Sequence, residues 1–175
     1  MNSKKIFIGF VIAFIVALNI YYIPFDSNLN ADTASEVPVD RRKIQISVLE
    51  DALNQALSSP VKINNYQHVV INFWATWCPS CRKENAIFNA FVQQNPHVLI
   101  VGVSVDRDIN DYYNYLKTNA FNYPTIPNSK EIAVLFDDIV AVPTHFFINV
   151  QDGTVQKTMG LVDANELQSI LRKNE

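Results

Sequence analysis

Three observations predict an α/β fold with a mixed central sheet flanked by helices. Apolar, β-branched runs of strand length alternate with stretches whose apolar residues recur at helical spacing. The alternation ends in a hairpin, Thr144–Asn149 and Thr154–Met159 flanking an Asp152-Gly153 turn, which adds antiparallel pairing to the sheet. Both cysteines of the chain, Cys78 and Cys81, sit where the clearest strand gives way to the clearest helix.

Lys4 and Lys5 precede an apolar run over residues 6–23, broken only by Gly9 and Asn19. Its length meets the roughly 18 residues at which a membrane span is favoured. Lysines before it and Asp26, Asp32 and Glu36 after it predict a cytoplasmic N-terminus. Residues 1–23 are thus expected to form one N-terminal transmembrane signal anchor; a cleaved signal peptide with a site near Ala31 is the alternative. No cysteine follows the run, so a lipidated N-terminus is not expected. Residues 24–40 are polar, contain proline and lack periodicity, as a flexible tether does, and residues 41–175 form the folded domain.

Within that domain residues 43–46 are expected to be a first strand. Ser47 and Glu50 are spaced as a capping box, and Val48, Ala52, Leu53, Ala56 and Leu57 supply an apolar helix face that ends before Pro60. Residues 61–67 lead into the buried strand 69–74. Pro79 suits a first helical turn, and Ile87, Phe88, Phe91 and Val92 carry that helix to about Asn95. Residues 98–105 are apolar almost throughout, as in a strand covered on both faces. A helix over 108–119 turns Tyr112, Tyr115 and Leu116 to one side. Residues 123–128 read as a proline-rich loop, and 129–136 as a short helix with Ile132, Ala133 and Phe136 inward. After the hairpin, Asp163 caps a last helix with Glu166 three residues on and Leu167, Ile170 and Leu171 apolar.

The totals exclude some functions. At 175 residues the chain has room for one domain and an accessory segment. A net charge of −3 suggests neither a nucleic-acid surface nor an acidic tail. No second cysteine pair exists and the three histidines are scattered, so a zinc site is not indicated and no cofactor is expected. A structural disulfide in so short a loop would constrain the unfolded chain little. A redox dithiol remains. Cys78 falls at a helix N-terminus, where unpaired N–H groups and the dipole favour a thiolate. Cys81 follows on the same helical face within disulfide reach. Cys78 is expected to be the more exposed nucleophile, with Arg82 and Lys83 nearby, and Cys81 the resolving thiol. Pro79 and Ser80 between them tune the redox potential, Ser80 either solvating the thiolate or serving as a small helix-compatible residue.

Glu84 shares a stripe with Cys81, Phe88 and Phe91, so it should point inward, where a carboxylate could move protons for Cys81. The alternative is a surface glutamate in the first turns. Trp77 is expected beside the dithiol and Trp74 in the core. His68 and His97 lie at strand starts, structural or exposed.

Asn72-Phe73-Trp74-Ala75-Thr76-Trp77-Cys78-Pro79-Ser80-Cys81-Arg82-Lys83-Glu84 resembles the active-site signature of thioredoxin-fold proteins, and more narrowly the TlpA/ResA/DsbE (CcmG) group of membrane-tethered thiol–disulfide oxidoreductases. Val142-Pro143-Thr144 and the hairpin after it resemble that group's cis-proline hairpin. The resemblance covers about the last two-thirds of the chain. It implies a thioredoxin-like fold and a cis Val142-Pro143 bond against the disulfide, with Trp77, Val142 and Pro143 meeting an extended substrate. It gives Glu84 the acid–base role, and Asn72 a place where ordinary thioredoxins carry a buried aspartate. Ala86, Ala141 and His145 depart from residues common in the group, proline, glycine and threonine respectively. His145 could titrate near the site or simply pack.

The resemblance further implies a reductant of disulfides in extracytoplasmic client proteins, with apocytochrome c or its maturation factors the leading candidates. It would sit in a bacterial inner membrane, its domain on the periplasmic side, drawing electrons from a membrane donor of the DsbD/CcdA type. An oxidant or isomerase of broader range is a second reading. A third is a carrier holding Cu(I) with Cys78, Cys81 and a histidine such as His145.

Overall fold

The computed structural model describes residues 42–136 and 139–173. The expected anchor over 1–23 and tether over 24–40 lie outside the described residues. Among the described residues no helix is long and apolar enough to cross a membrane.

Among the described residues six strands form one sheet, in the order β1-β6-β5-β2-β3-β4. They are β1 (Arg42–Lys43), β2 (His68–Trp74), β3 (Val98–Ser104), β4 (Thr125–Ile126), β5 (Thr144–Asn149) and β6 (Thr154–Met159). β2 pairs parallel with β3 and β3 with β4, whereas β5 pairs antiparallel with both β2 and β6. The sheet is therefore mixed. All seven residues of β2 and all seven of β3 are buried, which is why both read as largely apolar runs.

Helices cover both faces. Side chains alternate along each strand, so β2 sends Val69, Ile71 and Phe73 to one side, where they pack with Leu49, Ala52 and Leu53 of α1 (Ile46–Ala56) and Ile132 of α4 (Lys130–Ala133). Val70 goes to the other, with Phe88 and Phe91 of α2 (Pro79–Gln94) and Leu167, Ile170 and Leu171 of α5 (Ala164–Lys173). A third helix, α3 (Ile109–Leu116), lays Tyr112 against Trp74 at the end of β2. Asp108 caps α3 and Asp163 caps α5, each accepting backbone N–H groups of the first turn.

Several boundaries differ from expectation for identifiable reasons. The first strand is only β1, and the chain bends away as the Ile44 N–H donates to Gly153 O. That approach requires a glycine: at φ 72° a Cβ on Gly153 would stand 2.3 Å from Ile44 O. The capping box does not form. α1 starts two residues earlier, at Ile46 with Gln45 as its N-cap, and Glu50 accepts instead from the backbone N–H of Ile63, at the start of a 3-10 turn (Ile63–Asn65). Val48 is consequently exposed and Leu49 takes the buried place. The 123–128 loop contains β4, too short to show a period, and Ala133 points to solvent while Ile132 and Phe136 pack inward.

Candidate active site

The antiparallel register sets Phe73, near the end of β2, beside Thr144 at the start of β5. The loop leaving β2 carries Trp77 and Cys78; the segment entering β5 carries Val142 and Pro143. Two remote parts of the chain thus meet at one end of the two central strands.

Cys78 is the N-cap of α2, with Pro79 at the first helical position. Cys78 and Cys81 are joined as a disulfide. The Cys81 N–H, one of the unpaired donors of the helix start, donates to Cys78 Sγ at 3.1 Å, so the sulfur occupies the position a thiolate would use. Ser80 Oγ lies 3.3 Å from the same sulfur and Val142 O 3.7 Å. These neighbours correct one expectation: Cys78 is only 3% exposed, no more than Cys81. Arg82 and Lys83 face solvent. Trp77, by contrast, is 65% exposed beside the disulfide, and Trp74 is buried. The Val142-Pro143 bond is cis.

One residue outside the expected set shapes this loop. Asp106, buried just past β3, accepts from the Thr76 N–H at 3.2 and 3.1 Å, from Thr76 Oγ1 at 2.9 Å and from Ser104 Oγ at 2.7 Å. Its carboxylate anchors the residue preceding Trp77-Cys78. In sequence it is one acid in a loop, with nothing to distinguish it from a solvated one.

Glu84 points inward and is fully buried. Its Oε1 accepts the Val162 N–H at 2.9 Å, and its Oε2 lies 2.9 Å from His145 Nε2. His145 is also fully buried, and its Nδ1 lies 3.1 Å from Thr158 Oγ1. The histidine therefore does more than pack. Both ring nitrogens are engaged, so it is not turned to the sulfurs as a copper ligand, and among the described residues no three His, Cys, Asp or Glu side chains gather into a metal-holding group. Asn72 stands opposite His145 in the β2–β5 register. Tyr123 Oη donates to Asn85 Oδ1 at 3.1 Å. Burial first, and then the nearby Glu84 carboxylate, push the Tyr123 phenol well above its ordinary 10.0, so it stays neutral. His68 is buried at the start of β2 and His97 is exposed.

Residues 64–155 match the thioredoxin-like family. The sporulation thiol-disulfide oxidoreductase A of Bacillus subtilis is 30% identical over 112 residues, covering 60% of this chain and 67% of that protein. The thiol-disulfide oxidoreductase ResA of the same organism is 31% identical over 97 residues, 53% of this chain, and the chain spans about half (52%) of ResA's length. The crystal structure of StoA from Bacillus subtilis superposes with a TM-score of 0.55 at 24% identity, covering 65% of this chain and 92% of that one. With a dithiol pair at the start of α2 in such a fold, the chain belongs to the thioredoxin-like family and is a thiol–disulfide oxidoreductase.

Proposed function

We propose that the chain reduces disulfides of client proteins outside the cytoplasm. The observation that carries this reading is the placement of the Cys78–Cys81 disulfide between an exposed Trp77 and the Val142 backbone. Met159, opposite Thr144 on β6, and Val140 and Leu161 add exposed apolar surface around it, which suits a polypeptide substrate better than a small thiol.

In the reduced form Cys78, held as a thiolate by the α2 N-terminus, attacks a client disulfide. A mixed disulfide forms and one client sulfur leaves as a thiolate. Cys81 passes its proton to Glu84, one helical turn away on the same buried face, and its thiolate attacks Cys78 Sγ. The Cys78–Cys81 bond forms, the second client sulfur leaves, and two electrons have moved to the client. Pro79 and Ser80 set the potential at the helix start. Val142 and Pro143, with Trp77, hold the client strand.

Each turnover leaves the disulfide form, so a donor must restore the dithiol. We read residues 6–23 as an inner-membrane anchor placing the domain in the periplasm, with a DsbD/CcdA-type membrane protein as donor and apocytochrome c or its maturation factors as clients. The ResA-like signature supports this assignment.

The reduction potential of the couple in the full-length chain, equilibrated in dithiothreitol buffers, tests the direction. A value near or below roughly −270 mV is expected for a dedicated reductant; one near roughly −120 mV overturns the reading in favour of disulfide formation.

A further inference from the structure

The His145–Glu84 contact is a fully buried junction between α2 and β5. Glu84 stands on α2, one turn past Cys81; His145 stands on β5, two residues past the cis-proline bond. A carboxylate in such a place has two ways to exist. Without donors it keeps its proton, because desolvation penalises the charge; with a donor on each oxygen it can remain ionised. Here Oε1 accepts the Val162 N–H, and Oε2 lies 2.9 Å from His145 Nε2, which donates to it in the tautomer that carries the hydrogen there. An ionised carboxylate only accepts, so Nε2 carries the hydrogen.

The far side of the ring fits this assignment. Thr158 is opposite His145 in the β5–β6 register, and its hydroxyl meets Nδ1. A hydroxyl can donate to a bare Nδ1 or accept from a protonated one, so the ring is held in place in either charge state. Phe88 and Phe147 enclose the ring edge-on and tilted, at 5.7 and 6.0 Å between centroids. The titratable group beside the pair is Tyr123, from the loop before β4 and neutral, while Cys81 stands one helical turn before Glu84 on α2. β2 presents Asn72, β6 presents Thr158, and the segment after β6 presents only the Val162 N–H.

We propose that His145 is a positioning residue for the resolving step: by donating Nε2–H to Glu84 it keeps that buried carboxylate ionised and aimed, so that Glu84 can take the proton of Cys81. This rests on the dithiol reading above and deepens it. The proton balance is simple. Cys81 loses S–H, Glu84 gains it, the Cys81 thiolate forms the new S–S bond, and the departing thiolate is reprotonated from solvent. Afterwards Glu84 must release its proton, and the His145 hydrogen bond favours that return to the charged form.

The test uses the fully reduced full-length chain and dithiodipyridine, which releases one coloured thione when Cys78 attacks and a second when Cys81 resolves the mixed disulfide. His145→Phe removes both ring nitrogens from an already aromatic setting; His145→Gln keeps an N–H donor. The expected result is an unchanged first phase in both variants. In His145→Phe the second phase slows about tenfold to a hundredfold near neutral pH and recovers at alkaline pH, and His145→Gln restores most of the rate. A second phase whose pH profile is the same in His145→Phe and wild type overturns the inference alone. A wild-type chain with no second phase overturns the dithiol reading and the inference with it. Should His145→Phe not fold, infrared difference spectra of the wild type decide: a protonated-carboxyl band at neutral pH that Glu84→Gln removes overturns the proposal, and its absence supports it.

Discussion

Tyr123 shows how a single side chain reports on the charge beside it. Its ring packs edge-on against Phe88, and its hydroxyl donates to Asn85 of α2, whose neighbour on that helix is Glu84. Burial and the Glu84 charge both raise its proton affinity above the ordinary tyrosine value of 10.0. The sign of the consequence follows from linkage. A folded value above the unfolded one gives stability that is complete below about pH 10. It is lost as pH climbs past that value, because the unfolded chain then ionises first. Tyr123→Phe should therefore lose about 1 kcal/mol at neutral pH, the share of one hydrogen bond. Above about pH 10 its stability should fall less steeply than that of the wild type. Tyr112, also raised by burial, keeps its own share in both proteins. Urea midpoints at neutral and alkaline pH check this, and equal alkaline slopes would show that Tyr123 ionises freely in the fold.

At the scale of elements, the loop between β2 and α2 depends on a residue from the far end of β3. Thr76 gives Asp106 both its N–H and its hydroxyl, and Ser104 gives a third hydrogen bond. Asp106→Ala leaves those donors without their acceptor, at a cost of about 1–3 kcal/mol for each buried group left unsatisfied. It should also release Trp77-Cys78 from its fixed approach. Chemical denaturation should show the loss, and the rate of client reduction should fall while Asp106→Asn, which keeps one oxygen acceptor, retains part of both. Unchanged denaturation in Asp106→Ala would place the anchoring of the loop elsewhere.

The same elements show what a sequence can disclose. β2, α2 and the hairpin announce themselves through local pattern: a seven-residue buried strand, apolar residues three and four apart, an Asp-Gly turn whose glycine takes φ 72°. Cys78, Cys81 and the inward turn of Glu84 follow from helix phase alone. What stays hidden is set by distant partners. The capping box at Ser47 is locally sound, yet Glu50 is drawn away by the Ile63 N–H, 13 residues on. β4 is two residues held by β3. His145 looks like a packing residue until the fold brings it to Glu84 across 61 positions. Asp106 has no periodicity to betray it, only a partner 30 residues earlier.

For the whole molecule, redox chemistry and folding form one thermodynamic cycle. Closing the Cys78–Cys81 bond in the folded chain differs from closing it in the unfolded chain by the difference in stability between the oxidised and reduced folds. A loop this short removes little entropy from the unfolded chain, so that difference reports on the native site. Two features act in opposite directions there. The α2 N-terminus and the Cys81 N–H stabilise a Cys78 thiolate and so favour the reduced form. Burial of both cysteines disfavours added negative charge and favours the disulfide. A reductant requires burial to prevail. The full-length chain should then resist urea better oxidised than reduced, by about 1.4 kcal/mol for every 30 mV by which folding lowers the potential. Parallel urea titrations of the two redox forms, fitted with a common slope, measure this directly. A reduced form that outlasts the oxidised one is the pattern of an oxidant, and it would assign this site to making client disulfides rather than breaking them.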